Sequence, residues 1–224
     1  MASAFRMSFL MLIVMTIITG LAYPLAITGI AQLIFPHQAN GSLIKQGDAV
    51  IGSSLIGQYF VKPQYFHPRP SAANPSAPAP DASAPAPAAD AAASEPAAPQ
   101  TGYDATNSSG TNLAPSSQKL VESVTAAVAA NQPDNPGIKV PGDLVTSSAS
   151  GLDPDITPDA AYFQIPRVAK ARGISEERLR KIVAKFTQGR TLGFIGEPRV
   201  NVLALNMALD STGPDAAWAF GPDH

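Results

Sequence analysis

From Met7 to Ile44 the chain carries no Asp, Glu, Lys or Arg. No other feature restricts the fold as strongly. The apolar part runs from Phe9 to Phe35. A helix of that length covers about 40 Å, against a hydrocarbon core of about 30 Å. Residues 7–35 are therefore read as one transmembrane helix, crossing with tilt. The rival reading is a cleaved secretory signal, whose apolar region is only about 7–15 residues long. Here the apolar residues continue through Leu25, Ile27, Ile30, Leu33, Ile34 and Phe35, which argues for retention. Arg6 precedes the span, and His37 and Lys45 follow it. The shorter basic flank favours an amino terminus inside the cell, with residues 38–224 on the outer side of the membrane.

The span also has a face. Thr16, Gly20, Pro24, Thr28 and Gln32 recur every four residues, and Pro24 is expected to kink the helix. Small and weakly polar side chains let a second helix approach closely in lipid. Gly20, Pro24 and Thr28 are thus candidate contacts, with a lone anchor as the alternative. One span cannot enclose a pore, so transport would require partners.

The soluble part reads as a small α+β domain. Asn40-Gly41 signals a turn, and residues 42–45 and 49–60 read as short strands. Tyr65-Phe66-His67-Pro68-Arg69-Pro70 is held extended by its prolines. Tyr65, Phe66 and Arg69 are candidate partner contacts there, and Arg69 could equally cap backbone carbonyls. Residues 71–99 contain 14 Ala and seven Pro and no apolar side chain larger than Ala. Such a stretch cannot offset chain entropy by burial, so it is read as a disordered insertion, with a wall-spanning spacer as the alternative. Further on, the spacing predicts a helix from 117 to about 130, capped by Ser116, with Leu120, Val124, Ala127 and Val128 on one face. A second helix starts at Thr157-Pro158-Asp159, bends at Pro166 and stops at Gly173. A third starts at Ser175 and stops at Gly189, with Leu179, Ile182, Val183 and Phe186 inward. Thr191–Phe194 looks strand-like, and 200–209 leans to helix.

Two polar loops interrupt these elements. Residues 101–116 include Asn107, Ser108, Ser109 and Gly110, whose backbone N–H groups could cradle an anion. A surface loop bonded to itself is the preferred reading, and Asn107 is kept as a candidate contact. Residues 140–167 carry Asp143, Asp153, Asp155 and Asp159 and no Lys or Arg before Arg167. Ser148, Ser150, Asp153 and Asp155 are candidate contacts here, since a long shaped loop in a small domain usually touches something. The acids could hold a hard cation through oxygen. Capping and Asx-turns at Asp153 and Asp155 are the favoured reading.

Several chemistries lack their residues. There is no Asp-Lys-Thr-Gly-Thr phosphorylation string, no phosphate loop, no His-Glu-x-x-His and no Gly-x-Ser-x-Gly. His67 is the one plausible base for a serine hydrolase, and it sits in a proline-locked segment. No Cys is present, and the net charge of -2 gives no case for nucleic acid.

Six segments carry a family resemblance: residues 18–44, GSSLIGQYF (52–60), YFHPRPSA (65–72), GYDATNSSGTNLAPS (102–116), VTSSASGLDPDITPDAAYFQIPRVAKARG, and GEPRVNVLALNMALD (196–210). Together, and in this order, they resemble the C subunit of the Kdp-type potassium-transporting P-type ATPase. The family pattern passes almost directly from the RPSA segment to the GYD segment, whereas here the Ala/Pro-rich stretch lies between them. The resemblance implies a non-catalytic accessory subunit of a potassium-uptake complex in the inner membrane. Its implied partners are a potassium-translocating subunit, an ATP-hydrolysing subunit and a very small single-span subunit. It also implies support of ATP binding as a catalytic chaperone. A domain outside the membrane would meet ATP only through the complex, so no tightly bound cofactor is expected. An anchored module that binds the cell envelope is the alternative.

Overall fold

The computed structural model describes residues 2–46, 49–73 and 103–211. The disordered stretch expected at 71–99 therefore lies outside the described residues from position 74 onward. Its expected start needs correction. Ala73 is fully buried and the Ser71 hydroxyl donates to the Gly151 carbonyl at 2.5 Å, so 71–73 belong to the folded domain.

The chain divides into two compact units, Met1–Leu55 and Ile56–His224. The first begins with α1 (Ala2–Ile17) and α2 (Tyr23–Ile34), joined by a π-helical turn, Ile18–Ala22. Together they give an apolar helix over Ser3–Ile34 with mean hydropathy 2.2, long enough to cross a membrane. The π turn lies just before Pro24, which has no N–H and whose ring would strike the carbonyl four residues back. The wider turn relieves that conflict without breaking the helix. After a short α3 (Pro36–Ala39), β1 (Leu43–Gln46) and β2 (Ala49–Ser53) form an antiparallel pair with an irregularity at Ile44/Lys45. The strand expected to reach residue 60 ends at Ser53, where a turn at Ser54-Leu55 intervenes.

The second unit contains α4 (Gln118–Asn131), β3 (Asp155–Ile156), α5 (Pro158–Arg172), α6 (Glu176–Phe186), β4 (Thr187–Gln188), β5 (Arg199–Asn201) and α7 (Val202–Ser211). Two caps act as expected. The Thr157 hydroxyl accepts from the Ala160 N–H, and the Ser175 hydroxyl from the Arg178 N–H. Gly173 ends α5 at φ 67, a left-handed position that costs glycine little. The helix stays continuous through Pro166.

Four expectations fail. Ser117, not Ser116, stands at the N-cap position of α4 and its side chain makes no capping bond, and Val128 is exposed. Gly189 does not end α6, because Thr187 and Gln188 already pair with β5. Thr191–Phe194 is a turn rather than a strand.

The sheet order is β3-β5-β4, all antiparallel. Helices α5, α6 and α7 close over it around Phe163, Ile165, Leu179, Val183, Val200 and Leu205. Phe66 enters this core with no exposed surface, which removes it from the candidate contacts.

How an extended, proline-rich segment reaches a core is a question of backbone hydrogen bonds. Among the described residues no strand pairs with 63–67, so side chains take that place. Buried Asn206 accepts from the Phe66 N–H at 2.8 Å and donates to its carbonyl at 2.9 Å. Buried Gln164 does the same for His67, at 2.7 and 3.1 Å. Arg167 donates to the Pro63 and Tyr65 carbonyls, and Arg172 to that of Gln64. Arg167 is held in turn by Asp134 at 2.6 Å, and Arg172 by Asp210 at 2.7 Å. The Arg172 guanidinium also lies 5.0 Å from the centre of the Tyr65 ring. Two amides and two guanidinium groups thus serve every carbonyl from Pro63 to His67.

This arrangement sets two expectations. Asn206→Leu keeps the bulk but orphans two buried backbone groups, each worth about 1–3 kcal/mol. Chemical denaturation of the variant in detergent should show a loss of that order or more, against no loss for exposed Gln188→Ala. Secondly, burial, and then the Arg167 charge, lower the pKa of His67 from its ordinary 6.5. The unfolded chain therefore binds the proton first, and stability falls as pH drops below that value. Asp155 acts with the opposite sign, since burial raises its pKa. Melting curves from about pH 7.5 to about pH 5.5 should show stability declining in the wild type. His67→Gln, which stays neutral, should flatten that decline.

Candidate functional site

The two polar loops fold onto each other and onto Arg69–Ala73. Arg69 donates to the Asp153 carboxylate at 3.0 Å and to the Thr146 and Ser147 carbonyls, each at 3.4 Å. It caps carbonyls, as one of its two sequence readings proposed, and closes the acidic loop. Asp153 uses its second oxygen to accept from the Asp155 N–H at 3.0 Å, the expected Asx-turn. Asp155 makes no such turn. It begins β3, and its carboxylate faces Arg199 at 3.3 Å. Asp143 takes the capping part instead, accepting from the Thr157 N–H at 2.6 Å. Among the described residues no group of three or more His, Asp or Glu is placed to hold a metal ion.

The Ser-rich strip is bonded in the same way. Ser148 accepts from the Gly151 N–H at 2.9 Å and Ser150 from the Leu152 N–H at 3.1 Å. Across the loops, the Ser108 hydroxyl and the Ser109 N–H both donate to the Ser150 carbonyl, at 3.0 and 2.8 Å. The Ser109 N–H, one of the three donors in the anion-cradle reading of Ser108, Ser109 and Gly110, is thus already given to the facing loop. Gly110 is needed for contact: a Cβ there would lie 2.7 Å from the Ala149 carbonyl oxygen. Asn107 lies in a turn, its N–H donating to the Asp104 carbonyl at 3.0 Å.

Sequence reasoning missed the centre of this hub. Tyr103, at φ 64, donates its hydroxyl to the Arg69 carbonyl at 2.9 Å and lies 3.4 Å from that of Asp153. Burial, and then the Asp153 charge, push its phenol well above the usual tyrosine range, so it remains a donor. Its N–H meets the Ser71 hydroxyl at 3.1 Å. Gly57 packs beneath it, where a Cβ would overlap the Tyr103 ring and lie 2.7 Å from the Asp153 carbonyl. The sequence signal available was Tyr103 itself, the one aromatic residue in its loop.

The remaining candidates separate. The Tyr65 hydroxyl donates to Asp210 at 3.0 Å within the domain. On the span, Gln32 exchanges hydrogen bonds with Asn40 at 3.1 and 3.2 Å. A Cβ on Gly20 would meet nothing nearer than Thr16 at 3.9 Å. The helix itself does not require glycine there, which leaves room for an outside neighbour. Thr28 and Pro24 lie on the same exposed span.

A helix long and apolar enough to cross a membrane, followed by a small α+β domain whose polar loops are bonded to each other, sets the class of chain to which this one is compared. The family model described as the K+-transporting ATPase, c chain, matches residues 5–211. Two similar proteins, each named potassium-transporting ATPase KdpC subunit, come from Rhodopseudomonas palustris and Methylorubrum extorquens. The first is 52% identical over 211 residues, covering 94% of this chain and 99% of the relative. The second is 53% identical over 209 residues, covering 93% and 97%. A Bradyrhizobium diazoefficiens KdpC subunit is 52% identical over 205 residues, covering 92% and 95%. The chain belongs to the KdpC family of K+-transporting ATPase subunits.

The hub's geometry ranks its substitutions. Asp153→Asn keeps the turn acceptor and loses a partly exposed ion pair, so it should cost about 1 kcal/mol or less. Gly57→Ala drives a methyl into a ring and a carbonyl and should cost about 1–3 kcal/mol. Denaturant unfolding of the two variants checks the order.

Proposed function

We propose that this chain is a non-catalytic accessory subunit that stabilises assembly of the potassium-translocating and ATP-hydrolysing subunits. A small single-span subunit completes the expected set. The N-terminus lies in the cytoplasm and the folded domain outside the inner membrane. Any support of ATP binding, as a catalytic chaperone, then acts through the complex rather than by direct contact.

The observation carrying this reading is the state of the candidate groups. Arg69, Asp153, Ser148 and Ser150 each bond to another part of the same domain. Groups fixed in this way shape a docking body better than they serve a reaction, which needs groups free to change partners. The relatives' name, a subunit of a potassium-transporting ATPase, points the same way. The span supplies the second attachment, through the face of Gly20, Pro24 and Thr28.

Affinity purification of the tagged full chain in mild detergent, from potassium-starved cells, should recover the other ATPase chains. Recovery of the tagged chain alone would sink the proposal. Gly20→Leu with Thr28→Leu should insert normally yet lower recovery several-fold, since it blocks close approach and removes a hydroxyl whose hydrogen bond across helices is worth roughly 1–2 kcal/mol. Unchanged recovery would make the span a plain anchor.

A further inference from the structure

Strands β4 and β5 continue past the sheet as a hairpin whose end, residues 188–197, is exposed throughout. At its tip Leu192, Phe194 and Ile195 are 78%, 72% and 51% exposed. The tip is built, not loose. Thr191 and Ile195 exchange both backbone hydrogen bonds at 2.9 Å, and Arg190 pairs with Glu197 at 2.8 Å across the base.

Leu192 breaks two local rules together. It stands at φ 54 and is followed by Gly193 at φ 82, with the Phe194 N–H donating to the Thr191 carbonyl. Positive φ at both central residues is the type I′ pattern, which favours Asn-Gly. A bulky apolar residue is poorly suited to that first position, by backbone and by solvation alike. Such a conflict between local preference and observed residue marks a functional position.

We propose that the Leu192–Ile195 tip is an anchor that inserts into an apolar pocket on another chain of the same ATPase, outside the membrane. This rests on the reading of the chain as one subunit of that assembly. Charge favours protein over lipid as the occupant. The only charges in 188–197 are Arg190 and Glu197, and they neutralise each other. A segment that seeks an anionic bilayer carries excess Lys or Arg. Rigid apolar anchors entering a pocket are what hot spots consist of.

The test is Leu192→Asn in the full chain. It creates the favoured turn pair, so the melting temperature should hold or rise. Recovery of the other ATPase chains should fall roughly fivefold or more, the effect of losing one anchor. A merely structural Leu192 would leave recovery unchanged. In parallel, Phe194 is replaced by photoreactive benzoylphenylalanine in assembled membranes. Crosslinks to another ATPase chain support the proposal, whereas crosslinks only to lipid or to a second copy of this chain overturn it. If the wild type recovers its partners and Leu192→Asn does so equally, the tip is not an anchor and the subunit reading stands. If the wild type recovers none, both fail.

Discussion

The soluble domain depends on satisfying the backbone of a segment that cannot join a sheet. Prolines at 63, 68 and 70 deny the segment around Phe66 a regular ladder. Yet Phe66 is in the core, and its backbone groups go in with it. Unpaired, they would oppose burial by more than a phenyl ring contributes. Asn206 on α7 and Gln164 on α5 resolve the conflict by presenting donor and acceptor together, as a neighbouring strand would. The two helices are thereby fixed to one extended strip.

The same economy governs the polar loops. Their Ser, Asp and Gly residues suggest outward contact, and the structure gives them to each other. Arg69 ties Asp153 to two carbonyls, Tyr103 ties Arg69 to the base of the hub, and Gly57 makes room beneath. The result is a rigid polar body of the kind that keeps its shape against a partner. Exposed apolar side chains lie elsewhere, Leu192, Phe194 and Ile195 on the hairpin tip among them.

What is legible in the sequence is governed by local rules. The span follows from an uncharged run, the starts of α5 and α6 from Thr157 and Ser175, and the end of α5 from Gly173. These signals act within one helical turn. The burial of Phe66 is hidden because it depends on Asn206, 140 residues away. Arg69 admits two readings because the choice lies with carbonyls at 146 and 147. The β4–β5 hairpin reads as a helix end and a separate strand, since its pairing cuts across the Gly189 signal. Ser116 and Ser117 are chemically equivalent, and only the helix register puts Ser117 at the N-cap position. The Gly57–Tyr103 contact joins residues from two loops and leaves no trace in either.

One detail of the hub bears on how such a chain changes over generations. The Ala73 carbonyl accepts a hydrogen bond from the Asp104 N–H at 3.1 Å, and the Ser71 hydroxyl accepts from the Tyr103 N–H. Ala73 and Asp104 are therefore held side by side, whatever the length of chain between them. Each doubling of a loop's length adds only about 0.6 kcal/mol to its closure. Length at this point is nearly decoupled from everything the fold must hold in register. Insertions can lengthen or shorten here with little selective resistance, and the same point offers a port for grafting a reporter domain.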